Sequence, residues 1–345
     1  MLLIVAHHYV VNSGLKQVLY DDLFSPNSIF FFIFGAWGKT SINCFVLITG
    51  YFMCTSRISL RKFLKLFTWI LFYDIVISSI FILLGYHPLG VLKLLMGLIK
   101  FRSVTDNFPD CFVLFYLFIP FLNIIIANMT KKQHQYLLVL LLFVYVFHSI
   151  YPIVAVSMNY VSWFCVLYLI SSYLRLHPFK HDNDTRLWRT LTFISFGMSV
   201  VSIFFMNWIS AKIGMDDLTY DFIADSNAIL ALTNGITSFM WFKNIKIKNS
   251  KIINTIAASS FGVLLIHANS DTMRQWLWKE TIDCIGHYDT PLYWLYAIGC
   301  VIAIYAVCTI IDIIRAKTIE TPLLNITERM CMTVYKKFSN KSNSK

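Results

Sequence analysis

An all-α, polytopic membrane bundle is the fold class this chain predicts, and three observations carry the prediction. Hydrophobic residues make up 57% of its 345 residues, against a charged fraction of only 14%. The mean hydropathy of +0.64 implies more apolar surface than a soluble domain can bury, whereas helices solvated by lipid need that much. The apolar residues also fall in about ten runs, most near the roughly 20 residues a helix needs to cross about 30 Å of hydrocarbon.

In chain order the runs are 1–14, 36–55, 63–85, 110–129, 135–151, 160–176, 188–210, 222–242, 253–269 and 291–314. The stretch NSIFFFIFGAW ahead of the second run reads as an interfacial or re-entrant piece. The first run is too short to cross a bilayer, and it lacks the charged n-region and the small-residue cleavage site of a signal peptide. Its helix is therefore expected to continue upstream, leaving the membrane domain truncated at its N-terminus. No linker or soluble domain interrupts the chain: residues 1–314 form one membrane domain, and 315–345 a short basic tail.

The 29 basic residues and net charge of +11 do not indicate a nucleic-acid partner, because the charges sit between apolar runs, where they act as topology signals. Most follow the even-numbered runs, beginning with Arg57, Arg61, Lys62 and Lys65. That asymmetry puts both termini in the cytoplasm. The eight cysteines show no CxxC spacing, so neither a metal site nor a disulfide framework is expected, and they read as small apolar residues.

Ionisable residues inside apolar runs cost several kcal/mol unless paired or facing a polar cavity, so they are functional candidates. His7 and His8 sit in MLLIVAHHYVV. Successive helical residues point about 100° apart, so both cannot occupy one harmless direction, although a single histidine at a span end can simply reach the headgroups. Asp74 lies in the middle of the third run, where it either orients a catalytic imidazole or makes a structural helix-to-helix hydrogen bond. His267 closes a late run and by itself reads as an interfacial histidine; so does His148. Trp163, Tyr168 and Tyr173 read as packing or lipid-facing aromatics, and Gly50 as a point of close helix approach. The cluster Arg57, Arg61, Lys62 and Lys65 can be topological alone, or it can hold an anionic ligand.

Four segments in order, MLLIVAHHY, INCFVLITGYFM, RKFLK and SSFGVLLIHAN, resemble the integral-membrane acyltransferase-3 family over nearly the whole chain. In that family the first helix carries an arginine about three turns before a histidine, the second span ends in an FFxLSGF-like segment followed by an RxxR-like motif, and a late span ends in YLxH. The family histidine falls on His8, and the matching arginine would lie just upstream of Met1. The SGF element falls on Thr49, Gly50 and Tyr51, with Asn43 where many members have aspartate. Lys62 and Lys65 stand where the RxxR arginines are usual, keeping the charge but losing bidentate phosphate binding. His267 takes the place of the late histidine.

The resemblance implies transfer of an acyl group from a cytoplasmic thioester to a hydroxyl outside. His8, or its neighbour His7, supplies the base, since an imidazole titrates near neutral pH. Arg57, Arg61, Lys62 and Lys65 would hold the phosphates of acetyl-CoA, with no metal required. The expected protein is a multi-pass enzyme of a bacterial plasma membrane that O-acetylates a cell-surface or exported polysaccharide or its lipid-linked oligosaccharide precursor. A polysaccharide polymerase or flippase, or another glycan transporter, is the alternative. The first would be expected to carry a large arginine-bearing external loop, and a transporter would be expected to show Gly/Pro-interrupted spans in two related halves; neither pattern is visible.

Overall fold

The computed structural model describes residues 1–86, 107–147, 159–215 and 218–342, and every described element is helical. His148, read above as interfacial, lies outside the described residues, as does the rest of its run, 149–151. In chain order the helices are α1 (Leu2–Val11), α2 (Leu15–Asp21), α3 (Pro26–Gly35), α4 (Gly38–Met53), α5 (Leu60–Leu83), α6 (Phe108–Ala127), α7 (Lys131–Tyr145) and α8 (Tyr160–Leu176). They continue as α9 (Thr185–Ile213), α10 (Ile229–Lys243), α11 (Lys251–Ala258), α12 (Ser260–His267) and α13 (Asp271–Gln275). A π-helical turn (Trp276–Thr281), α14 (Tyr293–Thr318) and α15 (Glu320–Ser342) complete the order.

Local chemistry explains most of the boundaries. Ser25, Ser59, Asn159 and Asp184 cap α3, α5, α8 and α9 by accepting from backbone N–H groups of the first turn, which satisfies donors that a helix start leaves orphaned. Pro26 opens α3, where its missing N–H costs nothing. Gly214, at φ +66°, ends α9 in the left-handed conformation that glycine adopts without strain.

Among the described residues, five helical stretches are long and apolar enough to cross a membrane: Pro26–Met53, Leu60–Leu83, Phe108–Ala127, Thr185–Ile213 and Tyr293–Thr318. A bent pair, Lys251–His267 with Asp271–Thr281, makes a sixth if its two arms, which meet at 94°, count as one span. The NSIFFFIFGAW stretch is thus continuous with the second run, because α3 and α4 form one 28-residue apolar stretch. The run at 222–242 starts later as a helix than its hydropathy suggests. Turns occupy 219–227, held in part by Asn227, whose side chain donates to the Tyr145 carbonyl at 2.7 Å.

Two cores meet along α4. One gathers α1, α3, α5, α12 and α14 around Tyr9, Phe31, Phe32 and Trp278; the other gathers α6, α8 and α10 around Phe115, Trp163, Phe164 and Tyr168. Phe45 of α4 joins them, stacking on Phe261 and meeting Phe108 and Phe112 edge-on. The short α1 packs on α3, α4, α12 and α14 and buries Ile4, Val5, Ala6, Tyr9 and Val10.

A buried ion pair fastens the other end of this core. Asp312 Oδ1 accepts from Trp69 Nε1 at 3.0 Å, Tyr73 Oη at 2.8 Å and Arg315 Nε at 2.8 Å. Arg315 lies over the Trp69 ring and donates to Glu320 at 2.9 Å. Gly262 of α12 faces the same carboxylate so closely that a Cβ there would overlap it. The basic tail of the sequence is therefore a helix, α15, that packs on α5 and buries Leu324.

Candidate functional site

The site begins with α1. Its two histidines leave the helix in different directions, as the 100° step requires, and find different partners. His7 Nδ1 meets the Gly35 carbonyl at 2.6 Å, and its ring rests on Gly38, where any Cβ would overlap it. Of the two glycines of GAWG at the α3–α4 junction, Gly38 thus makes room for His7 and Gly35 for Val10. His8 Nδ1 lies 2.9 Å from Nε2 of His267, the last residue of α12, and the two ring centroids are 5.1 Å apart.

Hydrogen-bond chemistry orders the protons in this pair. His267 is fully buried, and its Nδ1 lies 2.6 Å from the Val263 carbonyl. A carbonyl only accepts, so His267 Nδ1 carries the hydrogen and, in the neutral ring, Nε2 is an acceptor. His8 Nδ1–H then donates to His267 Nε2. The remaining nitrogen of neutral His8, Nε2, keeps its lone pair.

A cavity of about 640 Å³ opens beside these rings, walled by His7 and His8 of α1 and by Asn12 just after it, by Gly38 and Lys39 of α4, and by Asp74 of α5. Asn107, Asp110 and Tyr160 close a second side, and Asn269, Asp271 and Arg274 a third. Lys39 Nζ donates to Tyr160 Oη at 2.6 Å. Arg274 pairs with Asp271. The volume suits a drug-sized or sugar-sized ligand, and polar groups converge on it within an otherwise apolar bundle.

The third wall exists because the chain breaks. After His267 the backbone leaves the helix at Ala268 and Asn269 and restarts at Ser270, whose side chain caps α13. Irregular backbone at membrane depth is tolerated where it lines a cavity. Asp74 accepts from Asn269 Nδ2 at 2.9 Å, so it fastens the break to α5, while the imidazole that meets His8 is His267. The composition of the run hides this partnership, since a histidine closing an apolar stretch carries no sign of its partner; ANSD immediately after it is the available signal for a break.

A family model described as an acyltransferase domain, of the acyltransferase-3 type, matches residues 1–313. The chain belongs to the acyltransferase-3 family. Comparison with curated proteins and with solved structures gave no match.

Other residues of the acyltransferase-3 motifs lie away from the cavity. Asn43 is buried between helices, accepting from Trp163 Nε1 at 3.0 Å and donating to the Ser226 carbonyl at 2.7 Å. Gly50 lets α4 approach α8, since a Cβ there would overlap the Ser171 hydroxyl. Tyr51 Oη takes a hydrogen bond from Arg175 at 3.1 Å. The basic cluster stands at the start of α5: Lys65 pairs with Glu320 at 2.6 Å, Arg61 with Glu328 at 2.5 Å, and Lys62 Nζ approaches the Arg57 carbonyl at 3.4 Å. Lys65 and Asp74 are separated by about 14 Å along α5 at 1.5 Å per residue. The acyltransferase-3 chain therefore keeps its cationic cluster and its histidine pair at different depths. Among the described residues no group of three or more His, Cys, Asp or Glu is arranged to hold a metal ion.

Proposed function

We propose that this membrane acyltransferase is an O-acetyltransferase of the bacterial plasma membrane, moving acetyl from cytoplasmic acetyl-CoA to a sugar hydroxyl of a cell-surface or exported polysaccharide or its lipid-linked precursor. The observation that carries the reading is the His8–His267 hydrogen bond on the wall of the polar cavity. With Nδ1 engaged, His8 Nε2 is the basic atom available to a hydroxyl entering the cavity. It takes the hydroxyl proton as the oxygen attacks the thioester carbonyl, then returns that proton to the leaving thiolate. His267 holds the tautomer and steadies the positive charge that forms on His8, the part an orienting residue plays in a triad.

Arg57, Arg61, Lys62 and Lys65 take the phosphates of the donor. Glu320 and Glu328 occupy Lys65 and Arg61, whose side chains stay about half exposed; ion pairs open to solvent are worth only about 0–1 kcal/mol, so a multiply charged donor competes with them. Ten spans with both termini cytoplasmic set this cluster on the inner side and the cavity toward the outer half, and the pantetheine arm bridges the two depths. The positive-inside distribution of Lys and Arg supports that orientation.

Membranes carrying the protein, supplied with acetyl-CoA labelled in the acetyl group, should place base-labile label on envelope glycan. Label that stays on the donor, or appears only on protein or on lipid that carries no sugar, would refute the acceptor class.

A further inference from the structure

Acyl transfer needs more than a base, because negative charge gathers on the carbonyl oxygen as the hydroxyl adds. Asn12 lines the same cavity as the base. It closes α1 one turn after His8, its backbone N–H donating to the His8 carbonyl at 3.0 Å. Residues four apart share a helix face, and both His8 and Asn12 line the cavity. The side-chain amide nitrogen of Asn12 is buried and has no hydrogen-bond partner. Nearly all buried donors are paired, and an exception calls for an explanation such as a catalytic role. The ammonium of Lys39 also lines the cavity, with the Tyr160 hydroxyl as its hydrogen-bond partner.

We propose that Asn12 is a catalytic residue of the acyl transfer, donating its unpaired amide N–H to the acyl carbonyl oxygen as that oxygen becomes an oxyanion. This rests on His8 acting as the base. The acceptor hydroxyl oxygen bonds to the carbonyl carbon while its proton passes to His8 Nε2, and the carbonyl π electrons move onto the oxygen facing Asn12. When they return, the C–S bond breaks, the thiolate takes the proton from His8, and ester and free thiol remain. The acyl oxygen gives the orphaned amide its partner only in the reacting complex, which is the condition under which an interaction speeds the chemical step.

The test is the initial rate of labelled acetyl transfer from acetyl-CoA to envelope glycan by membranes matched for protein abundance. Asn12→Ala should lower kcat by about 10²–10³-fold, the usual loss for one oxyanion donor, with the KM for acetyl-CoA within about twofold. Asn12→Asp, which keeps the size but turns the donor into an anionic acceptor, should be at least as impaired at normal abundance. A normal kcat in Asn12→Ala, a change confined to KM, or loss of abundance in both variants would each overturn the assignment. His8→Ala in the same assay separates the two claims. If His8→Ala is inactive while Asn12→Ala transfers normally, the oxyanion role falls and the base stands; if His8→Ala transfers normally, the base reading itself falls. Absence of transfer by the unaltered protein would overturn both.

Discussion

His8 and His267, 259 residues apart in the chain, share a hydrogen bond of 2.9 Å between Nδ1 and Nε2. The contact joins the short first helix to the end of a broken helix, and the Val263 carbonyl fixes its polarity. The shape of the whole site follows from that contact: α1 must run beside α12, and the chain must turn away after His267 to leave a cavity in front of His8.

His267→Ala should lower acetyl transfer by roughly 10–100-fold, the cost typical of removing a partner that orients a functional imidazole. His267→Gln, which can still present an acceptor to His8 Nδ1, should recover part of that loss. The initial transfer rate at matched abundance checks it, and a wild-type rate in His267→Ala would show that the contact is only packing.

The donor cluster makes a separate prediction. Charge-assisted hydrogen bonds contribute about 1.5–3 kcal/mol each, so Lys62→Ala with Lys65→Ala should raise the apparent KM for acetyl-CoA by at least about tenfold while kcat changes little. Glu320→Gln with Glu328→Gln, which frees Lys65 and Arg61 from their partners on α15, should lower it, and by less in high salt. An unchanged KM in both double variants would leave the cluster a purely topological role.

The Asp312–Arg315 pair is buried, and Asp312 carries three donors on one oxygen. Asp312→Asn leaves the buried Arg315 with Glu320 as its remaining counter-charge and should cost about 3 kcal/mol, the lower end of the range for a broken buried pair. Replacing both, as Asp312→Asn with Arg315→Met, should regain most of it. Thermal unfolding in nanodiscs reads the difference; a double variant no more stable than the single one would mean that the pair is not the source of the loss.

Much of this architecture is legible in the amino-acid sequence. Hydropathy marks the membrane class, and the ordered motifs lead to the family and to His8, because membrane solvation and helix length leave strong periodic traces. The pairing of His8 with His267 leaves none, since it depends on where two distant helices cross. Asp74 is an intramembrane carboxylate whose expense is legible and whose hydrogen bond to Asn269 is not. Asp312, Arg315, Trp69 and Tyr73 escape sequence reasoning for a related cause: Arg315 falls at a span end, where it reads as one more topology signal, and the aromatic rings read as packing. Asn12 lies in a turn sequence, NSG, whose ordinary explanation is a helix stop. The acidic residues of α15 are masked by the basic composition of the tail as a whole.

The central claim is that His8 is the base, and comparing His8→Ala with His7→Ala for acetyl transfer to envelope glycan tests it most directly. General-base help contributes about 10²–10⁴-fold, so His8→Ala should lose that much at normal membrane abundance, His8→Asn should fail to restore it, and His7→Ala, whose Nδ1 is tied to the Gly35 carbonyl, should lose far less. Near-normal transfer by His8→Ala would contradict the account, shifting the base to His7 if His7→Ala is inactive and removing the pair from the chemistry if both variants remain active.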